Sequence, residues 1–338
     1  MFGRPMPSTD ASSDGSSRRT ALALAAAFAL VGFVVAYTSM RKPGRPGDFL
    51  YWFTAADALR RGVDPYSVIP AADPARFQTG FYYPLPALLV TLPFVALPYA
   101  LAGSLFVALS SGLLAYGVAR DGAHRLFLFA SAPFIIAARS GQWSIVLAAA
   151  AAIPALGFLA AVKPNLGVAT FLYRPTRWLV AGSLALVALS FAVRPSWLGE
   201  WMAAVGGVQS RVVPILTPVG PLLLLAATRW RRREARLLLG LACVPQAPWF
   251  YDQLVLWLVP ATAVESMTYT LVSQLALAAW IVFRTADPGQ GAWWLAAALY
   301  LPPLVMVLRR PNAGALPPVV ERLVKRISAR WGARAPRR

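Results

Sequence analysis

Long apolar runs separated by short polar intervals make up most of the chain. Residues 20–40, "TALALAAAFALVGFVVAYTSM", carry no charged side chain and match the ~20 residues needed to cross a hydrocarbon core of ~30 Å. The run is too long for the apolar part of a signal peptide and no small-residue cleavage site follows it, so it predicts a permanent helix. Further apolar spans are predicted near 98–119, 124–138, 142–162, 176–194, 212–228, 236–250, 253–267, 268–284 and 291–308. Several fall short of a full crossing, which predicts tilted, re-entrant or merged helices. Residues 142–173 read either as one span plus a stub or as two short helices broken near Pro154.

Composition narrows this pattern to one class. The chain is 58% hydrophobic and 13% charged, with mean hydropathy +0.58, whereas soluble domains carry about 25% charged residues. The fold predicted is an all-α polytopic membrane protein of about ten transmembrane helices. No internal repeat is evident. Cys243, alone of its kind, excludes an internal disulfide and reads as a small buried hydrophobe. The single histidine, His124, leaves no histidine-based zinc site, and no metal or other cofactor is called for.

The net charge of +19 does not point to nucleic acid. The basic residues cluster between apolar spans and at the C-terminus, as membrane topology requires. With the N-terminus inside, inner segments hold 21 Lys and Arg against 10 outside, which favours both termini on the cytoplasmic face. Residues 1–19 then form a disordered cytoplasmic tail, 20–308 the membrane domain and 309–338 a basic cytoplasmic tail. In that tail "VVERLVKRISARWGARAPRR" (319–338) has the pattern of a basic amphipathic helix lying on anionic membrane lipids. Residues 41–97 become the first extracytoplasmic loop.

That loop is rich in acid for so basic a chain. "GDFLYWFTAADALRRGVDPYSV" (47–68) holds Asp48, Asp57 and Asp64, and Asp73 follows. As a helix, 48–61 aligns Phe49, Trp52, Phe53, Ala56 and Leu59 on an apolar stripe suited to the membrane interface, with aromatics at headgroup level. Gly62 ends it and Asp64-Pro65 starts a turn. Asp57 is placed to pair with Arg61 four residues on, and Asp64 and Asp73 shape turns. Asp48 reads either as an N-cap or as a carboxylate at the membrane surface, beside aromatic faces suited to sugar rings and able to take a proton from a hydroxyl.

The order "GDFLYWFTAADALRRGVDPY", then "FYYPLPALLVTLPFVALP" (81–98), resembles the first-loop signature of glycosyltransferase family 87, polytopic enzymes of the C-type superfamily. "SGQWSIVLAAA" (140–150) looks like that family's Gly-Gln segment and "AVKPNLG" (161–167) like its Lys-Pro segment. Pro84-Leu85-Pro86 stands where the family has a Pro-Pro pair. In "QAPWFYDQLVLWLVP" (246–260), Trp249 is followed by Phe250, Tyr251 and Asp252 where the family has a histidine.

The resemblance implies a hexosyltransferase, a mannosyltransferase above all, that uses a polyprenyl-phosphate sugar and a lipid-linked or glycan acceptor on the extracytoplasmic side. It implies Asp48 as the catalytic base and a first loop carrying interfacial helices. Substrate-binding candidates are Tyr51, Trp52, Tyr66 and Tyr83 from the loop and Gln142 from the Gly-Gln segment. Trp249, Tyr251 and Asp252 join them, Tyr251 or Asp252 standing in for the histidine. Asp252 also reads as a helix-end cap. Three cations are candidates for the departing phosphate: Lys163, an ionisable residue within an apolar stretch, Arg139 and Arg211. Snorkelling for Lys163 and topological placement for the two arginines are equally open. The alternative from another class is a non-catalytic or transport protein that binds or moves lipid-linked glycans.

Overall fold

Prolines, glycines and capping side chains cut the apolar chain into helical rods. The computed structural model describes residues 10–42, 47–69, 80–206, 212–246, 250–283, 288–315, 321, 322 and 326. Among these the protein is all-helical, and the one extended pairing is an antiparallel bridge between Val212 and Gln246. The α helices are α1 (Asp10–Met40), α2 (Phe49–Arg60), α3 (Leu85–Thr91), α4 (Tyr99–Asp121), α5 (Ala132–Ser140) and α6 (Ser144–Ala152). They continue with α7 (Pro164–Tyr173), α8 (Arg177–Val193), α9 (Trp197–Gly206), α10 (Arg233–Cys243), α11 (Ala263–Val282) and α12 (Pro288–Leu308). Between them Ala123–Ala130, Pro154–Val162, Gly220–Arg229 and Tyr251–Leu258 wind as 3₁₀ helices. A 3₁₀ helix rises about 2.0 Å per residue against about 1.5 Å for an α helix, so these short pieces reach further than their length suggests.

Two described helices are long and apolar enough to cross a membrane, Arg18–Met40 within α1 and Tyr99–Asp121. A third follows if α8 and α9, bent by 101° at the break between them, form one span. The two long helices pack along each other through small residues: a Cβ on Gly112 would lie 3.2 Å from the Ala25 carbonyl oxygen and the Ala29 methyl. Such surfaces let apolar helices approach closely enough for dispersion to hold them where water gives no drive.

Helix α4 links the two charged ends of the molecule. At its start the Tyr99 hydroxyl accepts the Gly47 amide at 3.1 Å, beside the first loop. At its end, about 34 Å away by the α-helical rise, Asp121 meets Arg233 at 3.9 Å and Arg125 at 4.0 Å. The same end gathers Arg236, donating to the Leu172 carbonyl at 2.8 Å, and Arg229, donating to that of Arg310 at 2.7 Å. The polar intervals near 120–125, 172–177, 229–236 and 309–312 therefore share one end.

Helix ends follow local chemistry. Ser131 caps α5 by accepting the Phe134 amide at 3.3 Å, and Thr176 caps α8 by accepting that of Leu179 at 3.1 Å. Thr262 caps α11 through the Glu265 amide at 3.1 Å, while the Glu265 carboxylate accepts the Ala261 amide at 2.7 Å, a variant of the capping box.

Several expectations change. Residues 142–173 form three rods rather than one or two: α6 ends before Pro154, a 3₁₀ helix follows, and Lys163-Pro164 starts α7. The spans drawn at 253–267 and 268–284 are divided elsewhere. The break falls at Pro260, and α11 runs unbroken from Ala263 because nothing in "AVESMTYTLVSQLALAAWIV" stops a helix. Cys243 is exposed rather than buried, since it ends α10. The C-terminal amphipathic helix (beyond Glu321, Arg322 and Arg326) and Asp73 lie outside the described residues.

Candidate functional site

The aspartate that opens α2 does not cap it. Asp48 occupies the N-cap position, but its backbone is already helical (φ −60°, ψ −21°) and its carboxylate bonds no α2 amide. Instead it accepts a hydrogen bond from Gln142 Nε2, 94 residues away. Gln142 is held there by the end of α5. Gly141 turns left-handed (φ 72°, ψ 43°) and the Gln142 amide returns to the Ala137 carbonyl at 2.9 Å, the longer bond of a Schellman closure. A Cβ on Gly141 would stand 2.7 Å from Met40 Cε and 2.8 Å from Phe49 Cβ. Only glycine fits this turn, which explains the Gly-Gln pair.

Gln142 also accepts from the Tyr83 hydroxyl at 3.3 Å. The Tyr83 ring stands edge-on to Trp52 at 4.8 Å, and Trp143 lies 5.9 Å from Trp52. Trp52, like Phe49, is fully buried. The aromatic stripe of α2 therefore faces protein rather than headgroups, and Trp52 is a wall of the site rather than an open platform.

Lys163 enters from the other side. The proline after it disfavours helical backbone, so Lys163 is extended (φ −144°, ψ 83°) at the joint before α7. Its ammonium bonds Asp252 Oδ1 and lies 5.1 Å from the centre of the Tyr251 ring and 5.8 Å from that of Tyr83. Both ions of the pair are buried, Asp252 at 0% exposure and Lys163 at 6%. Asp252 Oδ2 has no hydrogen-bond partner among the described residues. The residue before Tyr251, Phe250, is the one described non-glycine residue with positive φ (70°). Such strain persists where surrounding structure holds it and gathers at functional sites.

The two halves act on each other electrically. Loss of water around the half-buried Asp48 carboxylate pushes its pKa up to about 6 from 3.8, and Asp252 adds to the rise. The Lys163 ammonium and the Gln142 hydrogen bond pull the other way. Asp48 is thus an anion near neutral pH that is ready to accept a proton, the tuning a general base needs.

Of the residues singled out from sequence, Asp48, Trp52, Tyr83, Gln142, Lys163, Tyr251 and Asp252 come together. Tyr51 is half-buried on α2. Tyr66 sits aside, its ring 5.6 Å from Phe81. It belongs to a clasp in which Asp64 accepts the Tyr66 amide at 3.0 Å and meets Arg194 at 3.4 Å, while Arg194 holds Glu200 at 2.6 Å. Asp57 pairs with Arg60 at 2.8 Å as well as with the expected Arg61 at 3.1 Å. Arg139 is exposed on α5 and takes no part in the cluster's contacts. Arg211 and Trp249 lie outside the described residues.

Sequence reasoning missed the polar layer next to Asp252. Gln246 Oε1 accepts from Gln253 at 2.8 Å and from the Tyr300 hydroxyl at 2.6 Å. Glutamines at 246 and 253 inside apolar runs were the available signal. Among the described residues no three His, Cys, Asp or Glu side chains lie close enough to hold a metal ion. No family model, curated protein or solved structure matches this chain.

Proposed function

We propose that the chain is a membrane hexosyltransferase that moves a sugar, mannose above all, from a polyprenyl-phosphate carrier to a hydroxyl of a lipid-linked or glycan acceptor. The observation that carries this reading is the meeting of Asp48 with Gln142 and, across Tyr83, of the buried Lys163–Asp252 pair. A proton acceptor and a fixed cation in one cluster are what displacement of a lipid phosphate by a hydroxyl needs. The resemblance of four segments to glycosyltransferase family 87 supports the same reading, since each contributes to that cluster.

In this mechanism Asp48 takes the proton of the acceptor hydroxyl, whose oxygen forms a bond to the anomeric carbon. The bond from that carbon to the phosphate oxygen breaks with inversion, and the phosphate leaves with the electron pair. Lys163 meets the charge that grows on it. Tyr83 and Gln142 hold Asp48 in place, and the aromatic walls exclude water. The short rods make up about ten crossings with both termini inside, and the Asp48 end faces the extracytoplasmic space.

The test is transfer from polyprenyl-phosphate mannose in membranes. Asp48→Asn and Asp48→Ala are expected to lower it by about 10²–10⁴-fold, the usual share of a general base. Full activity in both refutes the assignment. No transfer by the parent chain with any polyprenyl-phosphate sugar favours a protein that binds or moves lipid-linked glycans. Tags on both termini, read by protease accessibility, test the orientation.

A further inference from the structure

Resting on the donor reading above, we infer that Asp252 selects the donor sugar: its Oδ2 accepts a hydrogen bond from the C2 hydroxyl of the hexose. Four observations carry this. Asp252 is completely buried, Lys163 occupies only Oδ1, and Oδ2 is left without a partner among the described residues. A buried ionic oxygen in that condition is costly, and a ligand that donates to it removes the cost. Finally, the strained backbone at Phe250, two residues before Asp252, marks a conformation held against local preference.

Chemistry then narrows the ligand. A carboxylate oxygen has only lone pairs to offer, so it repels a phosphate and suits an O–H or N–H donor. Lys163 carries three ammonium protons, one bound to Asp252 and the rest able to meet phosphate oxygens. The group that reaches Oδ2 therefore belongs to the molecule whose phosphate Lys163 holds, which is the donor and not the acceptor. Of the hydroxyls on a hexosyl phosphate, the one on C2 adjoins the carbon that bears the phosphate. It is also the centre at which mannose and glucose differ, so Asp252 becomes the residue that separates these two donors.

The experiment measures binding, so it does not depend on turnover. Short-chain polyprenyl-phosphate mannose, its 2-deoxy and 4-deoxy analogues and the glucosyl epimer are titrated into the full chain in detergent, and into Asp252→Asn. In the parent, loss of the C2 hydroxyl is expected to weaken binding about ten- to a hundredfold, the worth of a hydrogen bond to a charged group. In Asp252→Asn the same deletion should cost less than about threefold, because the cycle isolates the pair, while the 4-deoxy penalty stays the same in both proteins. Equal C2 penalties in parent and variant overturn the inference. Should Asp252→Asn not fold, the parent decides alone: a C2 penalty no larger than the C4 penalty overturns it. Binding with the C2 signature but without transfer removes the catalytic reading and leaves this one standing. Failure of every hexosyl donor to bind the parent overturns both.

Discussion

Replacing Lys163 by methionine isolates what the buried ion pair does. The side chains are of similar length, so the change removes a charge with little change of volume. Asp252 remains at 0% exposure with neither oxygen paired. At hydrogen-bond contact and an effective dielectric of ~20, two unit charges attract by on the order of 5 kcal/mol. Desolvation of both ions offsets most of that in the intact protein. Removing one partner leaves the desolvation without the attraction, and Lys163→Met should cost about 3–5 kcal/mol. The double variant Lys163→Met/Asp252→Leu removes both charges and should return to within ~1 kcal/mol of the parent. Denaturant unfolding in detergent micelles, followed by emission of the buried Trp143 and Trp257, measures both. A single variant costing under ~1 kcal/mol, or a double variant as unstable as the single, refutes the reasoning. Transfer should be lost in both variants, which separates the cation's chemical role from its structural one.

Other outcomes follow from the same geometry. Transfer should rise with pH through about 6 as Asp48 gives up its proton, because only the anion can accept one; a flat profile between pH 5 and 7 argues against Asp48 as the base. The Gln142 hydrogen bond lowers the Asp48 pKa, so Gln142→Leu should move that inflection to higher pH, and an inflection left in place refutes the contact. Gly141→Ala should destabilise by about 1–2 kcal/mol from left-handed backbone alone and lower transfer as Gln142 shifts, both read on the purified variant. Asp57→Asn, at a half-exposed surface pair, should leave transfer unchanged and stability within about 1 kcal/mol.

The helical class was legible because apolar composition leaves few alternatives, and the break before Pro154 was legible from the proline itself. Lys163-Pro164 and Pro260 make joints by the same chemistry, yet apolar runs on both sides of each hid them. Asp48 and Lys163 stood out singly as charged groups in aromatic or apolar surroundings, whereas Gln142 and Asp252 were reached through the resemblance to glycosyltransferase family 87. That Lys163 meets Asp252 was not legible, since a contact across 89 residues leaves no periodic trace in either segment. The facing of α2 failed for a related reason. A stripe of Phe49 and Trp52 shows that one face is apolar, yet lipid and protein interior satisfy such a face equally. The division between 253–267 and 268–284 failed because length alone was used to cut a run that holds no helix breaker between Ala263 and Val282.

The distances in sequence between the members of the cluster also set an order in time. Asp48 leaves the ribosome long before Gln142, and Lys163 before Asp252. At ~5–20 residues per second the interval from Asp48 to Asp252 is roughly 10–40 s. During synthesis Asp48 exists without the glutamine that bonds it, and Lys163 without its counter-ion. A chain released before residue 252 carries every feature of the first loop and still has no Lys163–Asp252 pair. Completion of the cluster is thus a report that the later rods have arrived and docked.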